Sequence, residues 1–187
     1  MSRILMVYGS TYGQTERLTR RIADLLRGAG HLVDVYRGDQ VPEAVRVEAY
    51  DECVVAASVL MGHHQRYVRD FVLRHAGTLN ARPSAFISVC GASANAPWQA
   101  QEYLDAFRRE TGWQPRLARS FAGGVAYTRY PWWLRWYMQR ISRRKGLPTD
   151  TTRDWDFTEW GEVDRFAAEL AKILGPVPGR SVSPLSA

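Results

Sequence analysis

The sequence predicts a single α/β domain built on an open parallel sheet with helices on both faces. The chain has 187 residues, of which 45% are hydrophobic, so it can bury one substantial core and is short for two. Short apolar runs alternate with stretches in which apolar residues recur every three or four positions. Five strands that alternate with helices favour a doubly wound sheet, for which the strand order 2-1-3-4-5 is common.

The first half of the chain supplies three strands and one helix. Residues 3–8 form an apolar run that ends at Gly9. Residues 31–36 alternate apolar and polar side chains, and residues 50–58 contain the continuous apolar run of a strand covered on both faces. Between the first two strands, residues 15–29 are predicted to be a helix that ends at Gly28 and Gly30 and buries a stripe of Leu18, Ile22, Leu25 and Leu26.

The second half repeats the cycle and ends in a helix. Its predicted elements are a helix at 64–75, a strand at 84–90, a helix at 97–111 and a strand at 116–127. The last helix is expected to begin near Thr158 as N-cap, with Glu159 and Glu162 in the first turn, and to end at Lys172 and Gly175. Its predicted inward face consists of Val163, Phe166, Ala167, Leu170 and Leu174.

Two segments lie outside this cycle. Residues 128–157 form an insert that is far longer than an ordinary strand-to-helix loop, which indicates a structure or function of its own. Residues 176–187 are rich in Pro, Ser and Gly and are expected to be a disordered tail. The domain is therefore expected to cover residues 1–175.

Composition and charge exclude several classes of protein. The apolar runs are far shorter than the roughly 20 residues of a membrane span, and the first of them is too short for a secretory signal. Cys53 and Cys90 show neither metal-ligand nor disulfide spacing, so no metal site is expected. The two separate thiols fit a reducing, cytoplasmic setting. The formal net charge of +6 favours phosphates, anionic lipids or acidic ligands as partners.

The segment after the first strand has the composition of a phosphate-binding loop. Open α/β sheets bind ligands at the carboxyl ends of their strands, where this segment lies. Gly13 allows close backbone approach to a helix N-terminus, and Ser10, Thr11 and Thr15 add hydroxyl donors. Without a lysine and without the dinucleotide-binding glycine spacing, the loop suits a monophosphate. A plain turn followed by a helix cap is the alternative.

The loop Ser10-Thr11-Tyr12-Gly13-Gln14-Thr15 resembles the phosphate loop of flavodoxins. Further stretches are similar to one branch of that superfamily, the quinone-dependent protoporphyrinogen IX dehydrogenases of flavodoxin type. They cover most of the chain up to about residue 174 and comprise residues 12–15, 57–59, 62–63, 71–72, 75–76, 82–86, 129–138, 149–151 and 158–160. Arg129-Tyr130-Pro131 with the aromatic segment behind it is the most specific, because ordinary flavodoxins lack it.

The resemblance implies an enzyme that uses FMN to oxidise protoporphyrinogen IX and delivers the electrons to a membrane quinone. It places the FMN phosphate on residues 10–15. It places the flavin ring between two loops, the first comprising Ser58, Val59, Leu60, Met61, Gly62 and His63 and the second Cys90, Gly91, Ala92 and Asn95. Residues 91–94 are small and neutral where the family has a basic stretch. This difference bears on the identity of the substrate more than on that of the cofactor. No catalytic base is assigned.

Three residues near these loops have more than one interpretation. His63 and His64 suit hydrogen bonding to the flavin or proton transfer, because imidazole titrates near neutral pH, and they equally suit helix capping or the surface. Cys90 is similarly ambiguous between a role at the flavin and a packed thiol at the end of a strand, of which the packed thiol is favoured.

The insert combines aromatic and basic residues at high density. On a helix, Trp133, Leu134, Tyr137, Met138 and Ile141 would form an apolar stripe, with Arg135, Gln139, Ser142 and Arg143 opposite. A basic amphipathic helix with Trp and Tyr suits an anionic membrane surface and would bring the flavin to a quinone. The expected contact residues are Trp132, Trp133, Trp136, Tyr137, Arg135, Arg140 and Arg143. Packing on the sheet and docking to a protein are alternatives, and nucleic acid is not an expected partner.

The favoured interpretation is an FMN-dependent oxidoreductase, peripheral on the cytoplasmic face of the membrane, that oxidises protoporphyrinogen IX or a related small molecule. A flavodoxin-type electron carrier without its own substrate is one alternative, which the positive charge and the insert disfavour. A binding module of the same fold without FMN is another, because a fold does not by itself determine function. The sequence leaves homo-oligomerisation open.

Overall fold

A mainly parallel sheet forms the centre of the computed structural model, which describes residues 1–173. Its strands are β1 (Arg3–Gly9), β2 (Leu32–Arg37), β3 (Glu52–Leu60), β4 (His63–His64), β5 (Ser84–Cys90) and β6 (Leu117–Ala122). The parallel order is β2-β1-β3-β5-β6, and the two-residue β4 pairs antiparallel with the end of β3. With β4 set aside, this is the predicted order 2-1-3-4-5, which is confirmed. The predicted helix end at Leu174 and Gly175 and the predicted tail lie outside the described residues.

Helices cover both faces of the sheet, as a doubly wound fold requires. They are α1 (Gln14–Gly28), α2 (Arg66–Ala81), α3 (Pro97–Thr111), α4 (Trp132–Arg144) and α5 (Trp160–Ile173). α1 and α5 pack together on one face, where Ile22 and Phe166 belong to the same buried cluster. α2 and α3 cover the other face with Val68 and Phe107. The predicted stripe of α1 is buried except for Leu25, which is exposed.

Two predicted helix starts differ from the structure. The helix predicted at 64–75 begins at Arg66, because His64 pairs with Val59 of β3. The last helix begins at Trp160. Thr158, its predicted N-cap, instead donates its hydroxyl to the Ala122 carbonyl oxygen at 2.8 Å.

The strand predicted at 116–127 is interrupted after Ala122. The chain then forms β7 (Gly124–Val125), which pairs antiparallel with β8 (Trp155–Asp156). A Cβ on Gly124 would lie 2.6 Å from the Trp155 carbonyl oxygen, so this close approach requires glycine. The predicted continuous strand was therefore wrong in its second half.

The insert leaves the domain at β7 and returns at β8, so the pairing of these strands holds its two ends together. Beneath α4 lies a small buried cluster of Val125, Ala126, Tyr127, Tyr130 and Leu134. Tyr12, from the segment after β1, packs against this cluster, and its ring centroid lies 4.6 Å from that of Tyr130. Within residues 1–173, no helix is both long and apolar enough to cross a bilayer.

Candidate functional site

Three loops begin side by side at the carboxyl edge of the sheet, after β1, β3 and β5. The strands are parallel neighbours, with Gly9 paired to Ala57 and Ser58 paired to Val89. This is the edge at which open α/β sheets bind ligands. The structure therefore brings the predicted phosphate loop and both predicted ring loops to one edge.

The loop after β1 leaves the N-terminus of α1 open. Gly13 has a φ of +87°, in the left-handed region that favours glycine, and its N–H donates to Ser10 Oγ at 2.9 Å. No side chain caps α1. Because the first N–H groups of an α-helix have no partner within the helix, they are available to an anion.

The first turn of α1 also contains an unpaired hydroxyl. Thr15 is fully buried, and its Oγ1 has no hydrogen-bond partner in the described part of the chain. Buried polar groups in native proteins are nearly always hydrogen-bonded, so a ligand is the expected partner. A helix N-terminus with hydroxyl donors and a left-handed glycine fits a phosphate monoester such as that of FMN.

A guanidinium from the insert approaches this loop at Gly13. A Cβ on Gly13 would lie 3.2 Å from Arg129 Nη1. Arg129 is held by Asp154, which accepts from Nε at 3.1 Å and from Nη2 at 3.0 Å. Sequence reasoning assigned no cation to the phosphate, because Arg129 is distant in the chain and no spacing pattern connects it to the loop.

Two residues at the start of α2 connect the loops, and sequence reasoning missed both. Gln65 Nε2 donates to Thr11 Oγ1 at 3.2 Å and to Ser58 Oγ, so it links the phosphate loop to the end of β3. Tyr67 Oη accepts from the Ser10 N–H at 3.1 Å. Polar residues are common where a helix begins, which is why neither stood out in the sequence.

A cavity of about 630 Å³ opens beside the loops after β3 and β5. The predicted ring residues 59–62 and 90–92 form part of its wall, and α4 with the residues just after it forms another part. Ser58, His63 and Asn95 do not line this cavity, and neither do residues 10–15. Small-molecule sites usually occupy about 300–1,000 Å³, so the volume suits a ligand of that class.

Gly124 and Val125 of β7 line the cavity as well, and three further lining residues were not predicted, namely Gln99, Tyr103 and Phe157. Gln99 and Tyr103 lie on α3, whose sequence pattern showed only an ordinary amphipathic helix. Phe157 directly follows β8 and reaches the cavity because the insert returns there. Only the tertiary arrangement identifies these three side chains.

The loop after β3 makes a tight turn at the cavity. Met61 and Gly62 have φ values of +51° and +87°. Two successive positive φ values between paired antiparallel strands are typical of a type I′ hairpin turn, in which Asn or Gly is usual. A non-glycine residue in this conformation costs roughly 1–2 kcal/mol. Met61 is 69% exposed at the cavity wall.

The two histidines after this turn have different surroundings. His63 is exposed, whereas the His64 ring packs against Phe86 and Phe107 and its Nε2 lies 2.9 Å from Ser88 Oγ. Burial lowers the pKa of His64 to about 4, so the ring is neutral near pH 7. His64 is thus a packing residue rather than a group poised for proton transfer.

Cys90 is buried at the end of β5, as expected of a packed thiol, and its Sγ lies 3.1 Å from Ser93 Oγ. It also lines the cavity. The carboxyl end of β5 therefore contributes small side chains and a polarisable sulfur atom to the cavity wall.

α4 presents its faces differently from the prediction. Leu134 of the predicted stripe is buried, but Trp133 and Tyr137 are exposed. The side predicted to be opposite is held by the protein, since Arg135 donates to the Tyr127 carbonyl oxygen at 2.9 Å and Ser142 is buried. The exposed face instead contains Trp132, Trp133, Trp136, Tyr137, Arg140 and Arg143.

The chain is similar to known flavodoxin-fold proteins in sequence and in structure. A family model described as flavodoxin domain matches residues 5–152. Protoporphyrinogen IX dehydrogenase (quinone) of Escherichia coli strain K12 is 32% identical over 175 residues, which cover 91% of this chain and 96% of that protein. The protein of the same name from Leishmania major is 30% identical, and the alignment covers 95% of this chain and 78% of that protein. Oxidised flavodoxin 1 from Bacillus cereus superposes with a TM-score of 0.58 at 19% identity, covering 91% of this chain and 98% of that one, which shows a common fold.

Proposed function

The chain belongs to the flavodoxin domain family and to its branch of quinone-dependent protoporphyrinogen IX dehydrogenases, and from this premise we propose that it oxidises protoporphyrinogen IX and passes the electrons to a membrane quinone. FMN is the cofactor of this enzyme type, and it supplies the redox chemistry when bound. The task of the polypeptide is to hold FMN, to place the substrate beside it and to exclude water.

Residues from three parts of the chain would hold the cofactor. Thr15 Oγ1 and the N–H groups at the start of α1 would bind the phosphate, with Arg129 supplying a positive charge. Residues 59–62 and 90–92 would border the flavin ring, because they line the cavity at the strand ends.

The observation that carries the proposal is the cavity between the ring loops and α4. Its described lining is mostly apolar and contains no Asp, Glu or His. A carrier that only exchanges electrons with partner proteins requires an accessible flavin edge and no cavity of this size beside it. An apolar substrate of considerable size is what this wall suits, since small-molecule sites are mainly hydrophobic with few polar groups.

The test is anaerobic turnover of protoporphyrinogen IX by the FMN-loaded protein with a soluble quinone analogue. Porphyrin fluorescence should rise in proportion to enzyme and quinone. Without quinone the yield should stay at or below about one third of an equivalent of bound FMN, because the porphyrin forms by loss of six electrons and FMN accepts two. Protein freed of FMN is the control. A rate no higher than that control would contradict the proposal, and rapid electron exchange with a flavodoxin reductase would then favour the carrier alternative.

A membrane surface is part of the same proposal, and the exposed face of α4 supports it. Trp132 and Trp136 are 82% and 62% exposed, which is unusual for side chains of this size. Arg140 and Arg143 lie on the same face, and neither has a carboxylate partner within residues 1–173. Tryptophan and arginine on one helix face are typical of a helix that lies at a lipid interface.

Replacing Trp132, Trp133 and Trp136 with serine should abolish sedimentation with anionic liposomes. All three side chains are exposed, so the fold and FMN binding should persist. Trp98→Ser is the matched control, because Trp98 is 70% exposed on α3 outside the insert. If the triple variant binds liposomes as the parent does, α4 is not the membrane contact. Raising the salt concentration should weaken the arginine contribution and leave the apolar one.

A further inference from the structure

The described wall of the cavity contains two charged side chains, Arg144 and Lys145, and both are cations. Neither has an ion-pair partner in the part of the chain that the structure describes. Two other arginines of the insert are paired, Arg129 with Asp154 and Arg153 with Asp150. An apolar cavity whose ionic groups are two unpaired cations is electrostatically suited to an anionic ligand.

The end of α4 is fixed where it borders the cavity. Gly146 has a φ of +66°, and the Leu147 N–H donates to the Ser142 carbonyl oxygen at 2.8 Å, which closes the helix in a glycine cap. Ser142 is buried, and its Oγ accepts from Tyr127 Oη at 2.8 Å. The backbone at Arg144 and Lys145 is therefore held in place, and their flexible side chains extend from a defined position.

We propose that Arg144 and Lys145 bind the carboxylates of the substrate while the apolar wall of α4 holds its body. The inference rests on the proposed function, because protoporphyrinogen IX is an apolar tetrapyrrole with two propionate carboxylates on one side. Leu134, Met138 and Ile141 supply the apolar surface on the same helix. Paired cations at the edge of an apolar surface match that distribution of charge, and such contacts orient a ligand as well as attract it.

Other roles for the two cations give different experimental results. Cations near a helix C-terminus are favoured by the helix dipole without any ligand. An anionic lipid would require the exposed face that contains Arg140 and Arg143, neither of which lines the cavity. The FMN phosphate has its own site at residues 10–15, which lie outside the cavity wall.

The test measures porphyrin binding by FMN-loaded protein, using protoporphyrin IX and its uncharged dimethyl ester in the same detergent. The parent should bind the diacid more tightly than the ester. The double variant Arg144→Gln, Lys145→Gln should lose roughly ten-fold or more in affinity for the diacid, as expected for lost charge-assisted contacts, and should bind the ester unchanged. In turnover, KM for protoporphyrinogen IX should rise with little change in kcat.

Two further variants of equal charge serve as comparisons. Arg109→Gln, Arg116→Gln removes two exposed cations from the opposite end of the sheet and should retain the parent's affinity for both porphyrins. Arg140→Gln, Arg143→Gln should alter liposome binding but not the preference for the diacid. FMN affinity should be unchanged in the Arg144 and Lys145 variant.

Several results would overturn the inference. Equal affinity of the parent for diacid and ester, equal losses in all three double variants, or an unchanged KM in the Arg144 and Lys145 variant would each do so. If the parent binds no porphyrin and oxidises no protoporphyrinogen IX, the proposed function itself fails. If the parent turns over normally and only the charge preference is missing, the failure is confined to the role of Arg144 and Lys145.

Discussion

Thr15 carries a hydroxyl group that the protein alone does not satisfy. Its side chain is buried in the first turn of α1, and Oγ1 has no partner within residues 1–173. Such a group lowers the stability of the ligand-free protein and becomes favourable only when a ligand accepts its hydrogen bond. Stability and ligand affinity are therefore expected to respond to this one atom in opposite directions.

Thr15→Val should weaken FMN binding without destabilising the apoprotein. Valine keeps the shape, and removal of an unpaired buried hydroxyl should leave the free energy of unfolding unchanged or higher. Loss of a hydrogen bond to a charged phosphate costs about 1.5–3 kcal/mol, roughly ten- to a hundred-fold in Kd. Flavin fluorescence titration and urea unfolding measure the two effects. Thr19→Val, which removes a bond to the Thr15 carbonyl oxygen, is the control and should bind FMN normally. Parent-like affinity of Thr15→Val would take Thr15 out of the phosphate site.

Glu52 lies at the other end of the sheet and makes stability depend on pH. Burial raises the pKa of its carboxyl from the usual 4.5 to about 7, with the Ser2 hydrogen bond opposing that change. Between these two pH values the folded state keeps a proton that the unfolded state has released. The free energy of unfolding therefore falls as pH rises from about 4.5 to 7, by about 3 kcal/mol, and then becomes constant.

Glu52→Gln should remove this dependence, because the amide does not ionise. The variant should match the parent near pH 4 and exceed its free energy of unfolding by about 3 kcal/mol at pH 8. Urea unfolding across this range provides the measurement, with Glu43→Gln, an exposed position, as control. A stability difference between parent and variant that does not vary with pH would show that Glu52 titrates normally.

At the residue scale, the sequence predicted groups that are close in the chain and missed those that are not. Ser10 and Thr15 were found because a helix N-terminus with hydroxyls and glycine is a local pattern. Gln65 and Arg129 reach the same loop only through the packing of α2 and the insert. No spacing in one sequence indicates such contacts.

α4 shows what helical periodicity predicts and what it leaves undetermined. The pattern correctly indicates a helix, but it assumes that polar side chains face water. Here Arg135 and Ser142 are satisfied inside the protein by Tyr127, and this lets tryptophans occupy the exposed face. Buried hydrogen bonds can thus reverse the orientation that hydrophobicity alone suggests.

Tyr127→Phe should loosen α4 while leaving the sheet intact. Tyr127 is fully buried, and its hydroxyl donates to Ser142 Oγ at 2.8 Å, with the Pro148 carbonyl oxygen at 3.2 Å. Loss of these contacts should cost about 1 kcal/mol or more, equivalent to roughly five-fold faster hydrogen exchange in α4. Mass-spectrometric exchange resolves the helix from the strands, and Tyr137→Phe, an exposed tyrosine of α4, is the comparison. Equal acceleration in β1 and β3 would mean that insert and sheet open together.

At the scale of the whole molecule, the insert and the phosphate loop form one connected unit. Gln14 Nε2 donates to Asp156 and to Thr158 Oγ1, each at 2.7 Å, and Tyr12 packs on Tyr130. The fold itself was predictable, because the alternation of strands and helices follows from local hydrophobic patterns in the sequence. The connection was not, because it joins segments at opposite ends of the sequence.

This connection predicts that FMN stabilises the insert as well as the loop that binds it. At a free FMN concentration of about 100 times Kd, the folded state should gain about 2.7 kcal/mol. Hydrogen exchange should slow at residues 127–131 and 154–158 as well as at residues 10–16. Hydrogen exchange at the far end of α2, residues 75–81, should not be slowed by local contacts with FMN. Arg129→Gln should lose the protection of the insert, because Arg129 is paired with Asp154 and its guanidinium lies beside Gly13. Arg153→Gln, whose partner is Asp150, should keep it. Protection confined to residues 10–16 in the parent would show that cofactor binding is not transmitted to the insert.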